Sequence, residues 1–204
     1  MLKRLTKNTT VLSLGILFCR ILGLIRDILI ATYFGTSQIL ESFIVAFRIP
    51  NIFRSLLGEG FSDSVATPVL SEYHNQRKRL LSLGRRLFSV SLIILGIVVI
   101  LGILFSKYLV IAIAPGFLKE SYKLSLANTF TKITFFYLFF MGLVAIMNSF
   151  LYALKKFAIP AFVPSLFNIS LICGILFFNR YLHNYILVVS VLIAGLLQLS
   201  LIHI

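Results

Sequence analysis

Arg20, Arg26 and Asp27 interrupt the otherwise apolar stretch FCRILGLIRDILI, and Glu41, Arg48 and Arg54 interrupt the equally apolar ESFIVAFRIPNIFR. Arginine keeps its charge on burial, and its rigid fork of donors matches phosphate oxygens. Several arginines on two adjacent helices would suit a polyanionic group such as a pyrophosphate, so the chemistry on offer is anion binding. Catalysis finds no support elsewhere in the chain. His74, His183 and His203 are scattered, and Cys19 and Cys173 sit in apolar segments as small buried hydrophobes. No nucleophile stands with a base, and neither a phosphate-binding glycine loop nor a Cys/His metal cluster occurs. The expectation is no enzyme, no cofactor and no metal.

These residues need helices to aim them. At roughly 100° per residue, Arg20, Gly23 and Asp27 share a face, and Arg26 lies about 120° from Arg20. Asp27 is thereby placed to neutralise Arg20 or an arginine of a neighbouring helix, and Gly23 gives flexibility between the two arginines. In the second stretch Ser37, Glu41, Arg48, Asn51, Ser55, Gly58 and Ser62 make one stripe, flanked by Arg54. Such a stripe belongs against water or protein interior, not lipid. Pro50 leaves the carbonyl of Ala46 without its amide donor, which predicts a kink or break in FRIPNIFR. Backbone polar groups freed there are tolerable only beside a cavity. The structural alternative has Arg26 or Arg48 snorkelling to a lipid headgroup and Arg20 pairing with Asp27 or Glu41.

Composition says where the helices lie. Of 204 residues, 59% are hydrophobic and 12% charged, against about 25% charged in an ordinary soluble domain. The uncharged runs Leu87 to Ser106, Ile133 to Leu154, Phe157 to Asn179 and Asn184 to Ile202 are 19 to 23 residues long. About 20 helical residues span a bilayer core, and continuous apolar character excludes the alternation of a barrel strand. Residues 9–33 and 37–61 are also long enough, although their charges leave surface amphipathic helices as the alternative. The fold class is therefore all-α and polytopic, with six spans near 9–33, 37–61, 86–106, 130–154, 157–179 and 184–203.

Charge asymmetry orients these spans. With a cytoplasmic N-terminus, inside segments hold ten basic residues: Lys3, Arg4, Lys7, Arg77, Lys78, Arg79, Arg85, Arg86, Lys155 and Lys156. Outside segments hold four, Lys107, Lys119, Lys123 and Arg180. That bias places both termini in the cytoplasm. A net charge of +13 raises nucleic acid as a partner, but the charges sit at helix ends and in HNQRKRLLSLGRR, beside apolar segments. They suit topology and anionic membrane lipid instead, and no nucleic acid is expected. The basic, then apolar, N-terminus lacks a small-residue cleavage site, so it is expected to stay attached.

Several stretches together closely resemble one family in order along essentially the whole chain: RILGLIRDILIATYFG, ESFIVAFRIPNIFRSLLGEGFSDSVATPVLSEY, APGF at Ala114 to Phe117, KITFFY at Lys132 to Tyr137, and IPAFVPSLFNIS at Ile159 to Ser170. The family is MurJ, or MviN, the bacterial lipid II flippases of the multidrug/oligosaccharidyl-lipid/polysaccharide exporter superfamily. The resemblance implies an inner-membrane transporter in which two six-helix lobes form a V around a cationic cavity. Such a protein moves undecaprenyl-pyrophosphate-linked peptidoglycan precursor, lipid II, to the periplasmic leaflet by alternating access. It implies that Arg20, Arg26 and Arg54 bind the pyrophosphate, and that Glu41 stands at an acidic position implicated in gating. Asp27, Arg48 and Glu59 join Glu41 as gating or charge-pairing candidates, with Gly23 and Pro50 as hinges. Cys19 departs from the usual Ser and Arg48 from the common Lys. The resemblance covers only the first lobe, so the chain reads as a truncated product or one piece of a split gene with a separately encoded second lobe. The alternatives are a non-transporting remnant or scaffold, and a related exporter of another amphipathic cargo.

Overall fold

The computed structural model describes residues 2–182 and 184–203, with side chains at all of these except 2–9, 11, 57–59, 63 and 203. Regular structure among the described residues is entirely helical. α1 runs Leu2–Phe34 and stops at Gly35, whose φ of +49° is open to glycine without a Cβ penalty. Ser37 then starts α2, Gln38–Ser55, by accepting a hydrogen bond from the Leu40 amide at 3.3 Å. A π-helical segment, Leu56–Ala66, and α3, Thr67–Glu72, extend α2 into one rod. α4 is Arg77–Leu104, and α5, Ser106–Ile113, turns off its end into a 3₁₀ turn, Pro115–Lys119. α6 is Ser121–Ala153. α7, Ala158–Cys173, runs through a second π-helical turn, Gly174–Phe178, into α8, Asn179–Leu182, and α9 is Ile186–His203.

Three of these rods, Arg77–Leu104, Ser121–Ala153 and Ala158–Leu182, are long and apolar enough to cross a membrane, and Ile186–Ile202 is a shorter apolar helix. Their outer faces agree with that medium. α4 exposes Ile93, Ile97, Ile100 and Leu104, and α1 exposes Leu17, Ile21, Leu24 and Ile28. Apolar patches of this extent on an isolated chain mark lipid or partner contact. The chain is thus a polytopic α-helical membrane protein.

α6 is the centre of the bundle, with α2, α4 and α9 laid against it. Contacts between numbered residues fix the directions. Ser42 meets Lys123 and Ser62 meets Ala145, so α2 and α6 run parallel. Gly15 meets Ala161 and Arg26 meets Asn168, so α1 and α7 also run parallel. α4 is antiparallel to α6, because Gly84 faces Phe150 while Gly102 faces Phe135. A Cβ on Gly102 would overlap the Phe135 ring, so only glycine allows this helix approach. α1 and α2 meet at the Phe34 and Phe43 end in one apolar cluster. Beyond that end they follow different partners, α1 on α7 and α2 on α6.

α2 does not break at Pro50. The proline is buried inside α2, whose helical hydrogen bonding continues through it to Ser55. The carbonyl it orphans is met from another helix: Thr134 Oγ1 of α6 lies 3.4 Å from Ala46 O and 3.1 Å from Thr131 O, and shares its proton between them. A hydroxyl thus does the work assigned to a cavity. The departure from α-helical bonding comes at Leu56 instead, where Gly58 and Gly60 lower the helix preference. There Ser62 bonds Ala145 O at 2.7 Å and closely abuts Ser149 Oγ, which pins the widened segment to α6.

Candidate functional site

A cavity of about 470 Å³ opens between α1, α2, α6, α7 and α9. Arg26 enters it from α1, and Asn51 and Arg54 from α2. Ser62 comes from the π-helical segment, Tyr137 and Asn148 from α6, Asn168 from α7 and Gln198 from α9. Its aromatic wall is built by Phe47, Phe167 and Tyr137, whose ring centroids are 5.8 Å apart in each pairing. The Arg26 guanidinium carbon sits 5.5 Å from the Phe167 centroid, a cation–π arrangement that fixes the plane of its fork.

Arg26 is held on three sides. Its Nε and Nη2 donate to Asp27 Oδ1 at 2.9 and 2.7 Å, and Nη1 donates to Asn168 Oδ1 at 2.7 Å. Asn168 Nδ2 in turn donates to the Cys19 carbonyl at 3.0 Å, so one amide of α7 clasps both the backbone and the arginine of α1. Three of the five guanidinium N–H groups are thereby engaged and two are left for a ligand. Arg54 is freer, since among the described residues only its Nε is used, donating to Asn51 Oδ1 at 2.9 Å one turn back on α2. Two arginines from helices that do not lie side by side at this level therefore face one cavity. Side-chain amides orient both, and among the described residues no carboxylate pairs with Arg54, which suits the bidentate capture of a phosphate.

The remaining candidates are distributed elsewhere. Arg20 and Arg48 are exposed and outside the cavity lining, and neither has an ion pair among the described residues. Among the described residues Asp27 does not pair with Arg20 or a neighbouring helix's arginine; it pairs with Arg26, its own chain neighbour. Glu41 does not pair with Arg20 either. It meets Lys123 at 2.6 Å, and Lys123 also meets Glu120 at 3.0 Å, at the far end where α2 and α6 begin. Gly23 faces α7, where an added Cβ would stand 3.8 Å from Asn168 Nδ2. Glu59 has a side chain outside the described residues.

Asn168, Asn148, Gln198 and Tyr137 are the site residues that charge-based reading passes over. The signal was present: Asn168 in SLFNIS and Gln198 in GLLQLS are lone amides in long uncharged runs. Such groups are expensive in a membrane unless they find partners.

The family model described as Lipid II flippase MurJ matches residues 30–204. The chain belongs to the lipid II flippase MurJ family. It is 38% identical over 199 residues to the probable lipid II flippase MurJ of Buchnera aphidicola subsp. Baizongia pistaciae, covering 95% of this chain and 38% of that one. To the probable MurJ of Aquifex aeolicus it is 36% identical, over 96% of this chain and 39% of the other. Similarity to the lipid II flippase MurJ of Burkholderia cenocepacia is 35%, over 89% and 36%. A solved structure of lipid II flippase MurJ in an inward closed conformation superposes with a TM-score of 0.78 at 30% identity, over 93% of this chain and 40% of that chain. The chain thus spans less than two fifths of the length of the Buchnera relative it matches.

Proposed function

We propose that this chain is the N-terminal lobe of a lipid II flippase in the bacterial inner membrane, with six spans and both termini in the cytoplasm. A second six-helix lobe, from the same polypeptide or a separate one, supplies the facing wall. The observation that carries this reading is the convergence of Arg26 and Arg54 on one cavity from two separately anchored helices. In this reading the pyrophosphate of undecaprenyl-linked precursor bridges them, and Arg20, exposed on α1, joins when the facing lobe closes over it. Asp27 tempers Arg26, and Pro50 and Gly23 mark where α2 and α1 flex. The Glu41–Lys123 pair gates the far end of the lobe, with Arg48 and Glu59 as further gating charges. Translocation then proceeds by rocking of one lobe against the other, as in alternating access generally. It is a transport step that needs no bond-making residue.

The test is genetic. The chain co-expressed with a second lobe from a relative should rescue growth of cells depleted of their own flippase, and Arg54→Ala should abolish that rescue. Failure of the wild-type pair, with both parts in the membrane, would count decisively against the reading.

A further inference from the structure

The back of α6 holds a second concavity, separate from the arginine cavity. α4 and α9 each lie against α6, and between them runs a groove of about 600 Å³. Its α6 wall of Met147, Phe150 and Leu154 lies roughly half a turn around the helix from Met141, Asn148 and Tyr152, which line the arginine cavity. Phe88 of α4, Leu70 of α3 and Ile202 of α9 complete an apolar trough. α4 does little to close it, because none of its residues from 81 to 94 is buried. The two helices touch there at Gly84, where a Cβ would stand 3.0 Å from the Phe150 ring.

One end of the groove is charged. Arg85 and Lys156 are its charged lining residues, both are exposed, and neither has an ion pair among the described residues. Arg85 precedes the uncharged run of α4, which begins at Leu87, and Lys156 follows that of α6, which ends at Leu154. Because α4 and α6 are antiparallel, these two boundaries lie at one membrane surface, and the apolar trough runs from them toward the bilayer centre. The end of α6 turns Lys156 back over the groove: Lys155 takes a φ of +59°, and the Lys156 amide donates to the Leu151 carbonyl at 2.9 Å. Cations at a helix C-terminus complement its dipole, which accounts for the two lysines. Arg85 sits within α4 and answers to no helix end.

An occupant must therefore be anionic at the membrane surface and apolar below it. A second copy of this chain does not qualify, because a two-fold axis along the membrane normal brings the same cations to the same depth. A glycerophospholipid with a net negative headgroup does, with its phosphate between Arg85 and Lys156 and an acyl chain along Phe88, Met147 and Phe150. We propose that this groove binds one anionic glycerophospholipid, of the phosphatidylglycerol kind, on the side of α6 away from the arginines. The site requires only that the helices sit in a bilayer, so it stands or falls separately from the pyrophosphate reading.

The chain contains no tryptophan, so one placed in the groove reports on that place alone. Phe88→Trp and, from the facing wall, Met147→Trp are reconstituted in phosphatidylcholine vesicles carrying brominated phosphatidylglycerol or brominated phosphatidylcholine. Quenching of the indole gives the relative affinity of the two lipids. Ile97→Trp, on the exposed side of α4, is the control outside the groove. Phosphatidylglycerol should be preferred about tenfold at both groove reporters and less than about twofold at the control. Arg85→Gln with Lys156→Gln should bring the groove preference down to that of the control. Arg77→Gln with Lys78→Gln removes as much charge elsewhere and should leave the preference within about twofold of its original value. Equal quenching by the two lipids in the groove, a preference as strong at the control, or one that survives the Arg85 and Lys156 changes would overturn the site. Absence of quenching by either lipid at the groove reporters would also overturn it, since protein rather than lipid would then cover the groove.

Discussion

α1 and α2 carry the two cavity arginines but are held in the bundle by different means. α2 buries Ser42, Phe43, Ala46, Ile49 and Pro50, mostly against α6. From Thr10 to Phe34, α1 buries only Gly15 and Phe34 among the side chains described there. Its attachment is a line of contacts to α7: the Gly15–Ala161 approach, the Asn168 bond to Cys19, and the Arg26–Asn168 bond. The difference teaches that Arg54 is placed by the packing of α2 on α6, whereas Arg26 is placed by the attachment of α1 to α7. The spacing of the two arginines is set by how the α1–α7 pair sits against the α2–α6 pair.

The largest expected effect comes from the arginines themselves. Charge-assisted hydrogen bonds contribute about 1.5–3 kcal/mol, so on the proposed pyrophosphate reading Arg54→Ala should lower pyrophosphate affinity roughly 10- to 100-fold. Arg26→Ala should lower it less, because three of its N–H groups are already engaged. The reverse order in a titration would break the distinction between the two walls.

Packing comes next. Gly15→Val would drive a side chain into Ala161, whose Cβ already stands 2.9 Å from an ideal Cβ at Gly15. Overpacking of this kind costs about 1–3 kcal/mol. Because α1 depends on that line of contact, the loss should appear as protease sensitivity of α1 while the α2–α6 core stays protected. A uniform loss of protection would show that α1 is integral to the core.

A smaller effect tests how α2 is fixed. Thr134→Val leaves the Ala46 carbonyl buried without a donor, at a cost of about 1–2 kcal/mol. Pro50→Ala in the same chain restores an amide to that carbonyl and should recover the melting temperature. If the double variant is no better than Thr134→Val alone, the hydroxyl is not compensating for the proline. Smallest of all, Gly23→Ala should raise stability by about 0.5–1 kcal/mol through helix preference, since its Cβ would make an ordinary contact at 3.8 Å from Asn168. A fall in melting temperature as large as that for Gly15→Val would give Gly23 a packing role.

Much of this architecture could be read from residue types. Apolar runs announce the helices because hydrocarbon tolerates little else, and Arg26 and Arg54 stand out because a buried guanidinium needs a reason. Pro50 announced an orphaned carbonyl at Ala46. What it could not announce was the remedy, since Thr134 lies 88 residues away in sequence. The same limit separates Arg20 from Arg26. Angular phase shows that they point apart, but only the packing of α1 on α7 decides which one meets the cavity. Lys123 is a further case: its partner Glu41 belongs to another helix, and nothing local to either residue specifies the pairing.

The Arg26–Asp27 pair has an electrical consequence. Opposite unit charges 2.7 Å apart on one helix travel together, so a displacement of α1 along the membrane normal carries this pair across the field as a dipole, and it is Arg20, unpaired among the described residues, that carries net charge. One unpaired charge moved through 100 mV is worth about 2.3 kcal/mol, and this pair contributes none of it. Asp27→Asn would add the Arg26 charge to that of Arg20 on α1, which on the flippase reading should appear as a steeper dependence of flux on an imposed potassium diffusion potential.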